Sequence, residues 1–351
     1  MNITELGWSS TFEEDYQLKK QDDACYPARV IGQGTDIYKL YTEHGETTAK
    51  LSGKFYYNTF VKSELPAVGD WVIAKGDPND SIVIHELLAR KSCFSRKVPG
   101  KVHEEQIVAA NIDTVFLVNA LNKDFNLRRI ERYLTLTWES GANPVIILNK
   151  ADLCDEIEEK LQSVESIALG VPTHVISSTI GNGFDEIQQY FTTGQTVALL
   201  GSSGVGKSTL TNRLLGNAQQ MVNTIRGQDD KGRHTTTSRD LILLEHGMII
   251  DTPGMRELQL WGSESSLSGT FQDIEELAEA CHFRDCQHQN EPKCAVKQAI
   301  QNGDLTEERF QSYIKLQKEL AYLADPEQYN RRKAALGKKY RQIAKEIRKK
   351  N

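Results

Sequence analysis

The stretch "VIILNKADLC", Val145 to Cys154, decides how the rest of this 351-residue chain is read. Its apolar half has the length and branching of a buried strand. Asn149-Lys150-Ala151-Asp152 follows at once. An aspartate such as Asp152 can accept hydrogen bonds from the ring N–H and exocyclic amine of guanine, a pattern adenine cannot donate. The Lys150 stem can lie along the base plane, and Asn149 can brace neighbouring loops. A second element, "GSSGVGKST" at Gly201 to Thr209, has phosphate-loop spacing. In ordinary GTPases the phosphate loop precedes the base-recognising tetrapeptide. Here it comes second.

The flanks of the second element support it. The apolar strand "TVALL" leads in and the helical "STLTNRLL" leads out. Gly201, Ser202, Ser203, Gly204, Val205 and Gly206 supply a turn whose backbone N–H groups face phosphate, aided by the helix N-terminus. Lys207 brings charge to the β- and γ-phosphates, the Ser208 hydroxyl suits Mg²⁺, and Thr209 closes the motif. Downstream, "MIIDTPG" delivers Asp251 towards the ion and Gly254 towards the γ-phosphate. Between them, "KGRHTTTS" (Lys231 to Ser238) is a polar loop able to close over the nucleotide. Thr235, Thr236 and Thr237 are all candidates for Mg²⁺, with Thr236 preferred. Met255 stands where many GTPases carry a water-positioning glutamine, which leaves His234 as the polar candidate for that work.

The base element keeps its own partner. After the next strand, "THVIS", comes "SSTIGNGFDEI", where Ser177 and Ser178 can present backbone N–H groups to the guanine oxygen. Two blocks, each internally in the usual order, have therefore been exchanged. In a doubly wound sheet the loops at the strand carboxyl ends meet in one crevice whatever their chain order. The sequence thus predicts a circularly permuted GTPase domain.

Composition is ordinary for a globular chain, with 39% hydrophobic and 26% charged residues. The first residues, "MNITELGWSS", lack the apolar core of a signal peptide. No run approaches the ~20 apolar residues of a membrane span, so a cytoplasmic protein with no membrane partner is expected. The net charge of −6 is unevenly placed: Arg331 to Asn351 holds ten Lys or Arg against Glu346, leaving −15 on the remainder. An acidic body with a basic end points to a polyanionic partner.

Residues 1–24 read as a flexible tail. Residues 25–92 hold five short β-rich pieces separated by turn signals, which predict a small barrel without choosing between OB and SH3 types. Residues 93–262 alternate strand and helix and form the predicted GTPase domain. Residues 263–351 read as helices around "CHFRDCQHQNEPKC". There Cys281, Cys286, His288 and Cys294 make a closed tetrahedral zinc set, with His282 as an alternative nitrogen disfavoured by its adjacency to Cys281.

With barrel, permuted GTPase and Cys–Cys–His–Cys cluster in this order, the chain resembles the bacterial small ribosomal subunit biogenesis GTPase family, RsgA, from about residue 25 onward. The resemblance implies an N-terminal OB-fold, a C-terminal zinc-binding domain, and GTP hydrolysis during late assembly of the small ribosomal subunit, stimulated by that subunit. It also carries Asn149 to Asp152 and Gly201 to Thr209 over as GTP sites and the four cluster residues as zinc ligands. Small-subunit rRNA and GTP/GDP are the expected partners, and the absence of coiled-coil heptads predicts a monomer. A GTPase in protein traffic or signalling, docking proteins through its barrel and zinc modules, is the competing expectation; the basic tail argues against it.

Overall fold

A computed structural model describes residues 2–59, 61–77, 82–97, 105–216, 240–251, 267, 269–289, 291–325, 328–329 and 331. The chain divides into two compact units, Met1–Gln259 and Leu260–Asn351.

The first unit opens with helix α1 (Ser10–Lys19) and five strands: β1 (Cys25–Gln33), β2 (Tyr38–Thr42), β3 (Gly45–Leu51), β4 (Trp71–Gly76) and β5 (Ile82–Leu87). They close in the order β1-β2-β3-β5-β4-β1. The β3–β5 pair is parallel and the others are antiparallel. A simple meander would pair β3 with β4. Insertion of β5 between them makes the Greek-key barrel of the OB type and settles the choice left open by periodicity. The barrel interior is filled by alternate residues, among them Val30, Leu40, Val72 and Ile84. The short helix α2 (Gly53–Asn58) separates β3 from β4, its first turn capped by the Ser52 hydroxyl, which accepts from Phe55 N at 3.0 Å.

Of the flexible tail expected at residues 1–24, the described residues 2–24 are instead ordered. Cys25, Trp71 and Ile73 present a second apolar face of the barrel strands, and Leu6, Phe12 and Tyr16 are buried against it. The Tyr16 hydroxyl donates to Cys25 O at 2.6 Å. Leaving Trp71 uncovered would strand a large apolar surface in water, and α1 covers it.

A hairpin, β6 (Cys93–Lys97) and β7 (Glu105–Ala110), leads into the α/β sheet. Its elements are β8 (Thr114–Ala120), α3 (Leu127–Ser140), β9 (Asn143–Asn149), α4 (Ile157–Glu165), β10 (Thr173–Val175), α5 (Phe184–Gln188), β11 (Thr196–Leu200), α6 (Lys207–Gly216), β12 (Asp240–Leu243) and β13 (Met248–Asp251). The spatial order is β10-β9-β8-β11-β13-β12. The first five strands are parallel, with β12 antiparallel at the edge. All the loops that follow parallel strands therefore leave one edge, as the permuted reading requires.

Strand β12 also pairs with β1 at Asp240–Gly32, so barrel and α/β sheet form one eleven-stranded sheet. Arg29 of β1 is completely buried at this junction. It donates to Gly69 O (3.3 Å), Asn111 O (3.1 Å), Thr196 Oγ1 (2.8 Å) and Leu6 O. Burial pulls its pKa down to about 10, partly offset by the charges of Asp113 and Asp70.

The second unit contains α7 (Gln272–Glu279), α8 (Ala295–Asn302) and α9 (Glu307–Ala324). Phe271, Ile274, Val296, Phe310 and Leu320 are among its buried side chains. Arg309 of α9 holds Asp273 of α7 through two 2.7 Å hydrogen bonds and donates to Thr270 O. Among the described residues, no helix is long and apolar enough to cross a membrane.

Candidate functional site

The phosphate-loop residues 201–206 connect β11 to α6. Lys207 curls back over the loop, its Nζ donating to Gly201 O at 2.6 Å and Ser202 O at 2.7 Å. Ser208 and Thr209 occupy the first turn of α6 and are exposed. Gly206 has φ +101°, and a Cβ there would lie 2.3 Å from Asn149 Nδ2. Glycine is required on both counts.

That close approach shows what Asn149 does. It is buried at the carboxyl end of β9, where its Nδ2 donates to Val205 O at 2.9 Å. Its Oδ1 accepts from both the amide and the hydroxyl of Ser178, each at 3.0 Å. One side chain therefore ties together the phosphate loop and the loop after β10. Lys150 takes the left-handed conformation, φ +65°, which turns the chain into a short 3₁₀ segment, Ala151–Leu153. Asp152 follows, and its Oδ1 accepts from the Ser177 hydroxyl at 2.5 Å. The base-recognising and phosphate-binding sequences, reversed along the chain, meet at one sheet edge.

The two serine amides expected to face guanine are engaged elsewhere. Ser177 N donates to Asn182 O at 3.0 Å, and Ser178 N goes to Asn149 as above. These serines brace the loop from within.

Asp251 ends β13, which is hydrogen-bonded to β11, so its backbone leaves the same edge as the phosphate loop. The start of α6, with Ser208, and the end of β13 thus lie at the same edge of the sheet. Gly254, Met255, His234 and Thr235 to Thr237 lie outside the described residues.

Sequence reading missed a network behind the phosphate loop. Arg129, in the first turn of α3, donates to Ser202 Oγ (2.9 Å) and Asp124 Oδ2 (2.7 Å), while the Ser202 hydroxyl donates to the same Asp124 oxygen at 2.9 Å. The Arg129 hydrogen bond, followed by that of Ser202, holds the Asp124 carboxyl below its ordinary range. The available signal was positional: "NKDFNLRR" follows the buried strand β8, and loops at that edge line the crevice.

In the second unit, Cys281, Cys286, His288 and Cys294 offer four ligand atoms all within 4.8 Å of one another. Cys281 Sγ lies 3.8 Å from Cys294 Sγ, and His288 Nδ1 lies 3.6 and 3.4 Å from these two sulfurs. Zinc–sulfur bonds of ~2.3 Å set tetrahedrally require ligand separations of about 3.8 Å, so the donor set fits one such ion. His288 reaches inward through a left-handed backbone, φ +56°. His282 is absent from the set; its ring packs edge-on against Phe283, with centroids 4.7 Å apart.

Two families match overlapping stretches of the chain. The family described as RsgA GTPase matches residues 87–261, and that described as 50S ribosome-binding GTPase matches residues 196–339. The chain is 47% identical to "Small ribosomal subunit biogenesis GTPase RsgA 2" of Lactiplantibacillus plantarum, covering 92% of this chain and 90% of that protein. It is 44% identical to the RsgA protein of Syntrophotalea carbinolica, again over 92% and 90%. The crystal structure of YjeQ from Thermotoga maritima superimposes with a TM-score of 0.64 at 29% identity, covering 85% of this chain and 99% of that one. The structure of YloQ, a circularly permuted GTPase, gives 0.61 at 25% identity over 86% and 96%. With nearly half the residues identical over nine-tenths of both chains, and with the permuted site assembled, the chain belongs to the RsgA GTPase family.

Proposed function

We propose that this GTPase is a late-stage assembly factor of the small ribosomal subunit, binding the subunit and its rRNA, with hydrolysis stimulated by the subunit and coupled to release. The observation that carries the reading is the near-complete coverage of relatives named as small ribosomal subunit biogenesis GTPases. The modules are residues 25–92 as OB barrel, 93–262 as permuted GTPase and 263–351 as zinc domain with basic tail, with residues 2–24 covering the barrel. The basic tail supplies positive charge for rRNA on an otherwise acidic body. The protein works as a cytoplasmic monomer.

The nucleotide lies along the edge described above. Asp152 accepts from the guanine ring N–H and amine, and the Lys150 stem flanks the base. The amides of residues 201–206 and the Lys207 ammonium hold the β- and γ-phosphates, and Gly254 N–H meets the γ-phosphate. Ser208, Asp251 and Thr236 would hold Mg²⁺, which when bound would supply positive charge against that developing on these phosphates. His234 orients the attacking water, a task Met255 cannot perform. One zinc ion, held by Cys281, Cys286, His288 and Cys294, has a purely structural role because the set leaves no open position.

Hydrolysis of GTP by the full chain, alone and with purified small subunits, tests the reading, with large subunits and ATP as controls. Stimulation by small subunits alone is expected. Stimulation by large subunits alone would favour the other matching description, and indifference to both particles would remove the ribosome from the reading.

A further inference from the structure

Arg213 projects from α6, the helix that begins at Lys207, and reaches the loop after β10. Its Nη1 donates to the carbonyls of Ser178 (3.2 Å) and Thr179 (3.0 Å), and its Nη2 to that of Ile180 (3.1 Å). The guanidinium lies over the Phe184 ring, 5.2 Å from its centroid. Gly181 makes room for it: at φ +101°, a Cβ there would sit 1.9 Å from Nη2. Three successive carbonyls thus converge on one cation, a geometry that arginine's planar fork supports and a lysine ammonium does not.

The consequence falls on the amides. In a planar trans peptide the C=O and the following N–H point in opposite directions. Drawing the Ser178 carbonyl to Arg213 turns the Thr179 N–H away from it. The neighbouring amides are occupied: Ser177 by Asn182 O, Ser178 by Asn149 Oδ1, Ile180 by Ser177 Oγ and Gly181 by Ser177 O. Thr179 N–H alone in this run has no partner among the described residues. It lies two residues from Ser177, whose hydroxyl holds Asp152.

We propose that Arg213 is a positioning residue for base recognition, aiming the Thr179 N–H at the 6-oxo group of guanine. This rests on the reading of Asp152 as the acceptor for the opposite edge of the same base. A single helix, α6, then grips the phosphates through Lys207 and sets the base loop through Arg213.

The test measures affinity of the full-length Arg213→Met and Arg213→Lys variants for GDP, IDP and the diphosphate of 2-aminopurine riboside, which keeps the 2-amino group and lacks the 6-oxo group. Arg213→Met should weaken GDP and IDP alike by about tenfold, the scale of one lost amide–carbonyl hydrogen bond. The 2-aminopurine nucleotide should bind it as it binds the wild type. In turnover, KM for GTP should rise with kcat unchanged. Arg213→Lys keeps the charge and should show the same pattern at smaller size; it also serves if the methionine variant does not fold. Equal weakening of all three nucleotides would reduce Arg213 to general bracing and overturn the proposal, as would unchanged GDP affinity. Asp152→Asn separates the underlying reading. If it fails to shift preference towards xanthosine diphosphate, the base site itself is misassigned; if it shifts while Arg213→Met stays flat, only the Arg213 role falls.

Discussion

Asn149 shows how much one side chain can decide. Its amide spans Val205 of the phosphate loop and Ser178 of the base loop, so any movement of one loop is felt by the other. Gly206→Ala would push a methyl group into that amide and strain a left-handed backbone. GTP affinity should fall by at least roughly tenfold, since left-handed strain alone costs ~1–2 kcal/mol, and equilibrium binding of a fluorescent GTP analogue measures it. Asp152→Asn should exchange guanine preference for xanthine, read as hydrolysis of XTP against GTP, because the amide now donates where the carboxylate accepted. At the barrel junction, Arg29→Met would leave Leu6 O, Gly69 O, Asn111 O and Thr196 Oγ1 without their buried donor. Unfolding by urea should show a loss of about 3–5 kcal/mol, the range for breaking a buried charged network. Asn149 and Asp152 were legible from their own sequence motif. Arg29 and Arg129 were not, because an arginine's partners are chosen by the fold.

Elements obey the same division. The five barrel strands and the strand–helix alternation were readable from periodicity and turn residues, but α1 was missed: its buried face consists of Phe12 and Tyr16 alone, too little to register as a stripe. Between elements, Asp113 precedes β8 and accepts from Thr196 N, the first residue of β11, at 2.8 Å, tying two parallel strands at their amino ends. Burial raises its carboxyl above the ordinary 3.8, against the opposing pull of the Thr196 amide and Arg29. The native chain then binds more protons than the unfolded chain in the window just above 3.8, so this group's contribution to stability declines as pH rises through that window. Asp113→Asn keeps the acceptor and lacks the titration. The stability advantage of wild type over this variant should therefore be larger at about pH 4 than at about pH 6.5, as urea titrations at the two values would report. A difference that grows with pH would contradict the assigned direction.

At the scale of the molecule, a body of net charge −15 ends in a segment, Arg331 to Asn351, with ten Lys or Arg against one acid. Binding to small subunits should weaken by roughly a thousandfold between ~50 and ~200 mM salt if six or more of those cations meet phosphate. Truncation before Arg331 should flatten that dependence, and co-sedimentation across a salt series would measure both. The four metal-fitting side chains of the second unit all come from the stretch between α7 and α8, which holds no helix or strand among its described residues. Chelation or Cys286→Ser should therefore melt it while GTP binding by the first unit persists, followed by circular dichroism and nucleotide titration in parallel. The sequence by itself determined the chemistry and the permutation, because the phosphate loop, the guanine tetrapeptide and the cysteine spacing are local signatures whose residue types the ligands dictate. Only the tertiary structure decided the OB strand order, the covering of the barrel by residues 2–24, and the arginines that brace the site. Each of these depends on contacts between residues far apart in the chain, whose pairing follows from how buried surfaces fit and from where buried donors find acceptors.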